Sequence, residues 1–203
     1  MSIAIIDYGV GNLFSLNCSL GYLGLESAVT AEAAALERAS HIILPGVGAF
    51  GDAMEKLRAT GLIPVLDAQV KKGKPLLGIC LGMQMLFETS YEYGAHDGLG
   101  YLKGEVRPLA PDIPGKKVPH MGWNALELVK PGHPLLRYTR PGDYVYFVHS
   151  YYAAGCGESL LAAAEYGVEV PAAVADGNVC GCQFHPEKSG RVGLAILQAF
   201  CEM

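Results

Sequence analysis

Two short segments hold residues whose types and spacing permit covalent chemistry: Gly78-Ile79-Cys80-Leu81-Gly82 and Phe184-His185-Pro186-Glu187. The first reads as a nucleophile elbow with cysteine in the serine position, because the apolar strand Pro75 to Ile79 runs into it and a helical stretch, Leu81 to Glu88, runs out. Glycines belong on both sides of such a nucleophile, since a side chain there collides with neighbouring backbone. The N-terminus of the following helix favours the thiolate and leaves the Leu81 N–H free to meet an oxyanion. A core cysteine in a plain strand-to-helix turn is the alternative reading. The second segment supplies what a thiolate needs next, a general base held in one tautomer by a third group. If the segment is extended, residues two apart lie on one side at roughly 6.5 to 7 Å, so Glu187 reaches and orients His185. A lone histidine at a strand end is more often structural, and the elbow cysteine is what gives this one a chemical role.

A third segment, Leu44-Pro45-Gly46-Val47-Gly48, follows another expected strand and therefore sits at the carboxyl edge of a sheet, where open α/β folds bind ligands. Its Val47 N–H is the expected second oxyanion donor, worth about 2.7–4 kcal/mol of barrier if well aimed. A simple tight turn is the alternative. Asp7-Tyr8-Gly9-Val10-Gly11-Asn12 also joins a strand to a helix but lacks the third glycine of a dinucleotide loop. Cys180 and Cys182, with His185, form a conceivable metal corner. Their spacing is tighter than zinc sites prefer, so core cysteines on a buried strand are expected and no metal or cofactor is.

The elements that must position these residues alternate in the first half of the chain. Strands are expected at Ser2 to Asp7, Glu26 to Val29, His41 to Leu44 and Pro75 to Ile79, separated by helices at Asn12 to Leu23, Glu32 to Ala39, Ala49 to Ala59 and Leu62 to Lys72. That alternation is the signature of a parallel sheet with helices on both faces. From about Gly98 strands follow one another: Gly104 to Leu109, Asn124 to Val129, Tyr144 to His149, Leu160 to Tyr166, Ala172 to Ala175 and Val179 to Phe184, with Asp176-Gly177-Asn178 as a tight turn. A helix from Ser189 to Cys201 comes last. The expected fold is α/β, a three-layer α/β/α sandwich with a mostly parallel central sheet and additional antiparallel strands, forming one domain over residues 1–203.

Composition narrows the function class. The 203 residues are 51% hydrophobic and 17% charged, enough for a full core, and the net charge is -5. The densest basic stretch, Lys71, Lys72 and Lys74, has no aromatic interleaving, so no nucleic acid is expected as a partner. The longest nearly apolar run, around Pro75 to Phe87, falls short of the roughly 20 residues of a membrane span. No basic leader precedes the run cut off by Asp7, so a cytoplasmic protein is expected, with six cysteines kept as thiols.

Gly78-Ile79-Cys80-Leu81-Gly82-Met83-Gln84 with Phe184-His185-Pro186-Glu187 resembles the class I glutamine amidotransferases, whose triad is an elbow cysteine followed much later by His-x-Glu. The stretch Ile5 to Leu13, the loop Pro45 to Gly48, Pro119-His120-Met121-Gly122-Trp123-Asn124 and Tyr146-Phe147-Val148-His149-Ser150-Tyr151 resemble the glutaminase subunits of imidazole glycerol phosphate synthases. The resemblance implies a Cys80–His185–Glu187 triad that hydrolyses L-glutamine through a thioester. It implies glutamine binding by Gly48, Gln84, Ser150 and Tyr151. It further implies a (βα)8-barrel cyclase subunit as heterodimeric partner, met by Met121, Trp123 and Asn124, which receives the ammonia for histidine biosynthesis. A valine in the donor position of the oxyanion loop departs from the more open glycine-rich loop of many relatives, and valine resists positive φ. The glutaminase subunit of pyridoxal phosphate synthase and a non-catalytic interaction subunit are the competing readings. The Asp-Tyr-Gly-Val-Gly-Asn opening and Met-Gly-Trp-Asn argue against the first, the intact triad against the second.

Overall fold

A computed structural model describes residues 2–203. Its centre is an eight-stranded sheet whose parallel part is built by β1 (Ser2–Ile6), β2 (Glu26–Thr30), β3 (His41–Leu44), β4 (Leu76–Ile79) and, from the far end of the chain, β14 (Val179–Cys182). Along the sheet these lie in the order β2-β1-β3-β4-β14. The antiparallel strands β13 (Glu169–Asp176), β12 (Leu160–Glu165) and the short β9 (Glu127–Leu128) continue it from β14.

The period-2 alternation of the central strands sorts their side chains into two cores. Ile3, Ile5, Ile43 and Leu77 face α1 (Leu13–Tyr22) and α6 (Gly190–Cys201), meeting Leu16, Leu20, Ile196 and Phe200. Ala4, Ile6, Ile42, Leu44 and Leu76 face the other way, toward Leu36 of α2 (Ala33–Arg38), Phe50 and Leu57 of α3 (Phe50–Ala59) and Leu66 of α4 (Ile63–Lys71). Because both faces are covered, the central strands read as continuous apolar runs. The α/β/α sandwich is therefore as expected.

Two smaller sheets flank it. The strands β8 (His120–Ala125) and β10 (Tyr144–His149) pair antiparallel, and Val145 and Phe147 of β10 join the core beneath α6. The second holds β5 (Phe87–Ser90), β6 (His96–Asp97), β7 (Leu102–Pro108) and β11 (Tyr151–Ala154), and it packs Phe87, Val106 and Ala153 into the opposite core.

The structure corrects the expected helix Leu81 to Glu88. Only α5 (Leu81–Gln84) is helical, and the chain then enters β5. A continued helix needs the carbonyls of residues 85 to 87 for its own next turn. Instead these accept hydrogen bonds from Leu99, Gly100, Tyr101 and Leu102. The expected strand Asn124 to Val129 is also two strands in two sheets, because Leu126 bonds to Asp143 and Gly142 on either side and leaves the line of β8. The strands β5, β6 and β11 were not expected.

Candidate active site

Three neighbouring parallel strands, β3, β4 and β14, end at one edge and deliver the three chemical segments side by side. At the end of β4, Cys80 adopts φ 54, ψ -109, a conformation rare for a residue with a side chain. The elbow is forced by close packing on both sides. A Cβ at Gly78 lies 2.7 Å from the Gly82 carbonyl oxygen, and one at Gly82 lies 1.9 Å from the Leu44 carbonyl oxygen. The loop Pro45 to Gly48 rests on the elbow as well, since a Cβ at Gly46 falls 2.7 Å from the Gly82 nitrogen. Tyr8 Oη donates to the Pro45 carbonyl at 2.6 Å, and Pro45 also packs against Gly11, so the segment around the first glycine pair buttresses this loop. In that loop the left-handed position belongs to Gly48, at φ 96, and Val47 keeps an ordinary φ.

β14 leads through Gln183 and Phe184 to His185 and a short 3₁₀ turn, Pro186–Lys188. His185 Nδ1 lies 2.9 Å from Glu187 Oε1, and both side chains are almost wholly buried. Asn12 Nδ2 donates to the same carboxylate oxygen at 3.3 Å. The turn is held from three directions: His185 N–H donates to the Tyr146 carbonyl at 3.0 Å, Ser189 Oγ donates to the His185 carbonyl at 2.6 Å, and Tyr146 N–H donates to Ser189 Oγ at 2.9 Å. Burial by itself lowers the imidazole pKa. Its hydrogen bonds and charge interactions with Cys80 and Glu187 outweigh that and push His185 up to about 9, as a charged partner for a thiolate. The helix after Cys80 is a single turn, too short to carry much dipole, so His185 is the main positive charge facing the sulfur.

Cys80, His185, Val47, Gly48, Leu81, Gln84, Ser150 and Tyr151 all line one cavity of about 320 Å³. Glu187 stands behind His185. Two further residues, unforeseen from the sequence, complete the site. Glu92 lines the same cavity, where burial raises its pKa while the Phe50 N–H, donating at 2.7 Å from the start of α3, opposes the rise. Gln183, fully buried, places Nε2 3.7 Å from Cys80 Sγ and accepts from Gln84 Nε2 at 3.0 Å. The signal for Gln183 was an amide inside an apolar strand end; Glu92 carried none, because β5 and β6 were not legible.

On β8, Met121 and Trp123 point outward with 60% and 55% of their surface exposed. Asn124 faces the opposite way and spends its amide on the Glu165 carbonyl and His120, so the structure separates it from the other two expected interface residues. Cys180 and Cys182 lie in the core, where burial pushes the first thiol up to about 12 and the second well above its ordinary value. Among the described residues no group of His, Cys, Asp or Glu is placed to hold a metal ion, and no helix is long and apolar enough to cross a membrane.

The family model for glutamine amidotransferase class-I matches residues 4–202. Among curated relatives, imidazole glycerol phosphate synthase subunit HisH of Bacillus licheniformis is 54% identical over 202 residues, covering 98% of this chain and 94% of that protein. The subunit of the same name from Bacillus subtilis is 52% identical, covering 99% and 96%, and that from Caldanaerobacter subterraneus 50% identical, covering 99% and 98%. Of solved structures, PurLQS from Thermotoga maritima superposes with a TM-score of 0.77 at 20% identity over 99% of this chain and 97% of that one, a likeness of fold. A crystal structure of a glutamine amidotransferase gives 0.76 at 22% identity over 98% and 97%. With an elbow cysteine, a buried His–Glu pair and this extent of identity, the chain belongs to the class I glutamine amidotransferases, in the family of imidazole glycerol phosphate synthase HisH subunits.

Proposed function

We propose that the chain hydrolyses L-glutamine to glutamate and ammonia at Cys80 and passes the ammonia to a (βα)8-barrel cyclase subunit that makes imidazole glycerol phosphate and an aminoimidazole carboxamide ribonucleotide. The observation that carries this reading is the single cavity in which Cys80, His185, the oxyanion loop and the Glu92 carboxylate converge. The Cys80 thiolate adds to the side-chain amide carbon. The resulting oxyanion is met by the Leu81 and Val47 N–H groups. His185 gives its proton to the departing ammonia, leaving a thioester. It then takes a proton from the water that attacks the thioester, and glutamate leaves as Cys80 is restored. Glu187 holds the imidazole with Nδ1 toward its carboxylate throughout. Glu92 is the counter-ion for the substrate's ammonium group, and Gly48, Gln84, Ser150 and Tyr151 form part of the remaining wall.

The exposed pair Met121 and Trp123 supports a partner surface on β8. Trp123 packs edge-on to Tyr146 at 6.1 Å, and Lys188, next to Glu187 in the chain, lies over the Tyr146 ring at 5.8 Å. The oxyanion loop gives this partner a point of control. A valine between two glycines resists the φ that turns its N–H inward, so the free subunit is nearly inactive and partner plus nucleotide turns the Val47 N–H toward the cavity. Glutamine hydrolysis by the purified chain, alone and with cyclase and nucleotide, checks both statements: a large rise on assembly is expected, and equal rates reject the control. In the assembled enzyme Cys80→Ala abolishes glutamine-dependent product formation while ammonia-dependent formation survives. Survival of both overturns the catalytic assignment.

A further inference from the structure

At the edge of the substrate cavity, which His149 helps to line, lies a polar pair that this chemistry leaves unused. His120 of β8 and His149 of β10 are register partners, both buried, with His120 Nδ1 2.9 Å from His149 Nε2. Which nitrogen carries each proton follows from the two ends of the chain of contacts. The Tyr151 carbonyl can only accept, so His149 Nδ1, 2.9 Å away, donates to it. His149 Nε2 then holds a lone pair and accepts from His120 Nδ1–H. From the other end, Asn124 Oδ1 accepts the Ala125 N–H at 2.9 Å and Asn124 Nδ2 donates to the Glu165 carbonyl at 2.9 Å. That orients the amide, and Nδ2 also donates to His120 Nε2 at 3.2 Å. Both ends require one direction, with each imidazole neutral and protonated on Nδ1. His120 is stacked between Phe147 and Tyr166, at 4.7 and 4.0 Å between ring centres. Burial disfavours a charge on either ring, lowering His120 to about 4 and His149 to about 3.

The Tyr151 carbonyl at the end of this relay also accepts from Gln84 Nε2 at 2.9 Å. With its second N–H given to Gln183, Gln84 has both donors engaged, and Oε1 is what it offers to a ligand. A His149 protonated on Nε2 instead would set a lone pair against the Tyr151 carbonyl and release that strand edge. We propose that His120 and His149 are positioning residues for glutamine binding, a neutral relay running from Asn124 that fixes the Tyr151 carbonyl and, through it, the Gln84 amide. This rests on the glutaminase reading above.

Steady-state glutamine hydrolysis by the chain assembled with its cyclase partner tests it. His149→Ala is expected to raise KM for glutamine roughly five- to tenfold, the worth of about one hydrogen bond, with a smaller change in kcat. His149→Asn, whose Nδ2 stands near the place of Nδ1, should recover most of the loss. Long-range proton–nitrogen spectra of the unsubstituted protein at neutral pH should show both imidazoles neutral with the proton on Nδ1. A folded His149→Ala with unchanged KM, an Asn variant no better than Ala, or either ring charged or protonated on Nε2 overturns the proposal. If His149→Ala does not fold, the Asn variant and the spectra decide. Failure of the glutaminase reading is a separate result, in which the unsubstituted complex hydrolyses no glutamine at all.

Discussion

Cys80 and Glu187 together favour the charged form of His185, by hydrogen bonding first and by charge second. Because the imidazole pKa rises from the ordinary 6.5 to about 9 in the folded protein, its contribution to stability is fully present below about pH 6.5 and is lost as pH rises through about 9. The melting temperature should therefore fall on the alkaline side of neutrality, and Cys80→Ala, which removes one partner, should flatten that limb; differential scanning calorimetry across pH 6 to about 10 measures it. Glu92 works in the opposite direction. Burial raises its pKa, so on acidification its carboxylate neutralises earlier than an exposed one and loses its attraction for an ammonium group. KM for glutamine should rise as pH falls. In Glu92→Gln it should be raised at neutral pH by about 1.5–3 kcal/mol in binding, and the acid dependence should disappear.

At the scale of elements, the site exists because β3, β4 and β14 are adjacent and parallel, and because glycines let their end loops touch. Gly82 is the tightest of these contacts. Its neighbour is the backbone carbonyl of Leu44, which has no side-chain freedom to move aside. Gly82→Ala must therefore push the elbow away from β3, at a cost of about 3 kcal/mol, read as a lower urea midpoint with an unchanged slope. Glutamine turnover should fall further than stability does, since the displacement moves Cys80 away from the oxyanion loop. A similar approach joins α6 to the triad, where a Cβ at Gly193 lies 1.9 Å from the Pro186 carbonyl oxygen. The helix thus seats the turn that carries Glu187.

For the molecule as a whole, the catalytic edge and the exposed β8 face are neighbours through Tyr146, whose carbonyl holds the His185 N–H and whose ring meets both Trp123 and Lys188. A partner seated on Trp123 is therefore one residue removed from the triad. Trp123→Ala should weaken binding of the cyclase by about 2 kcal/mol, roughly thirtyfold, as truncation of an aromatic anchor does, and titration calorimetry reads the change directly. The fold of the chain alone should be little altered, because the indole is more than half exposed.

The sequence by itself determined the chemistry-bearing segments and the layer architecture, because both rest on local rules. Glycines flanking Cys80 mark a sharp turn, His185 and Glu187 are close enough along the chain to pair, and apolar runs separated by helical stretches name a parallel sheet. Tertiary structure decided everything that depends on distant partners. Residues 98 to 102 capture the carbonyls that would have extended α5, and they turn Phe87 into a strand. That strand brings Glu92 into the cavity. The sequence resemblance grouped Asn124 with Met121 and Trp123, and only the contacts with Glu165 and His120 show that its amide is engaged elsewhere. The order of β3, β4 and β14, strands far apart in the chain, follows from which apolar faces bury together. Sequence names Cys80 and His185 as the candidate nucleophile and base. The packing of faraway backbone puts them in one pocket.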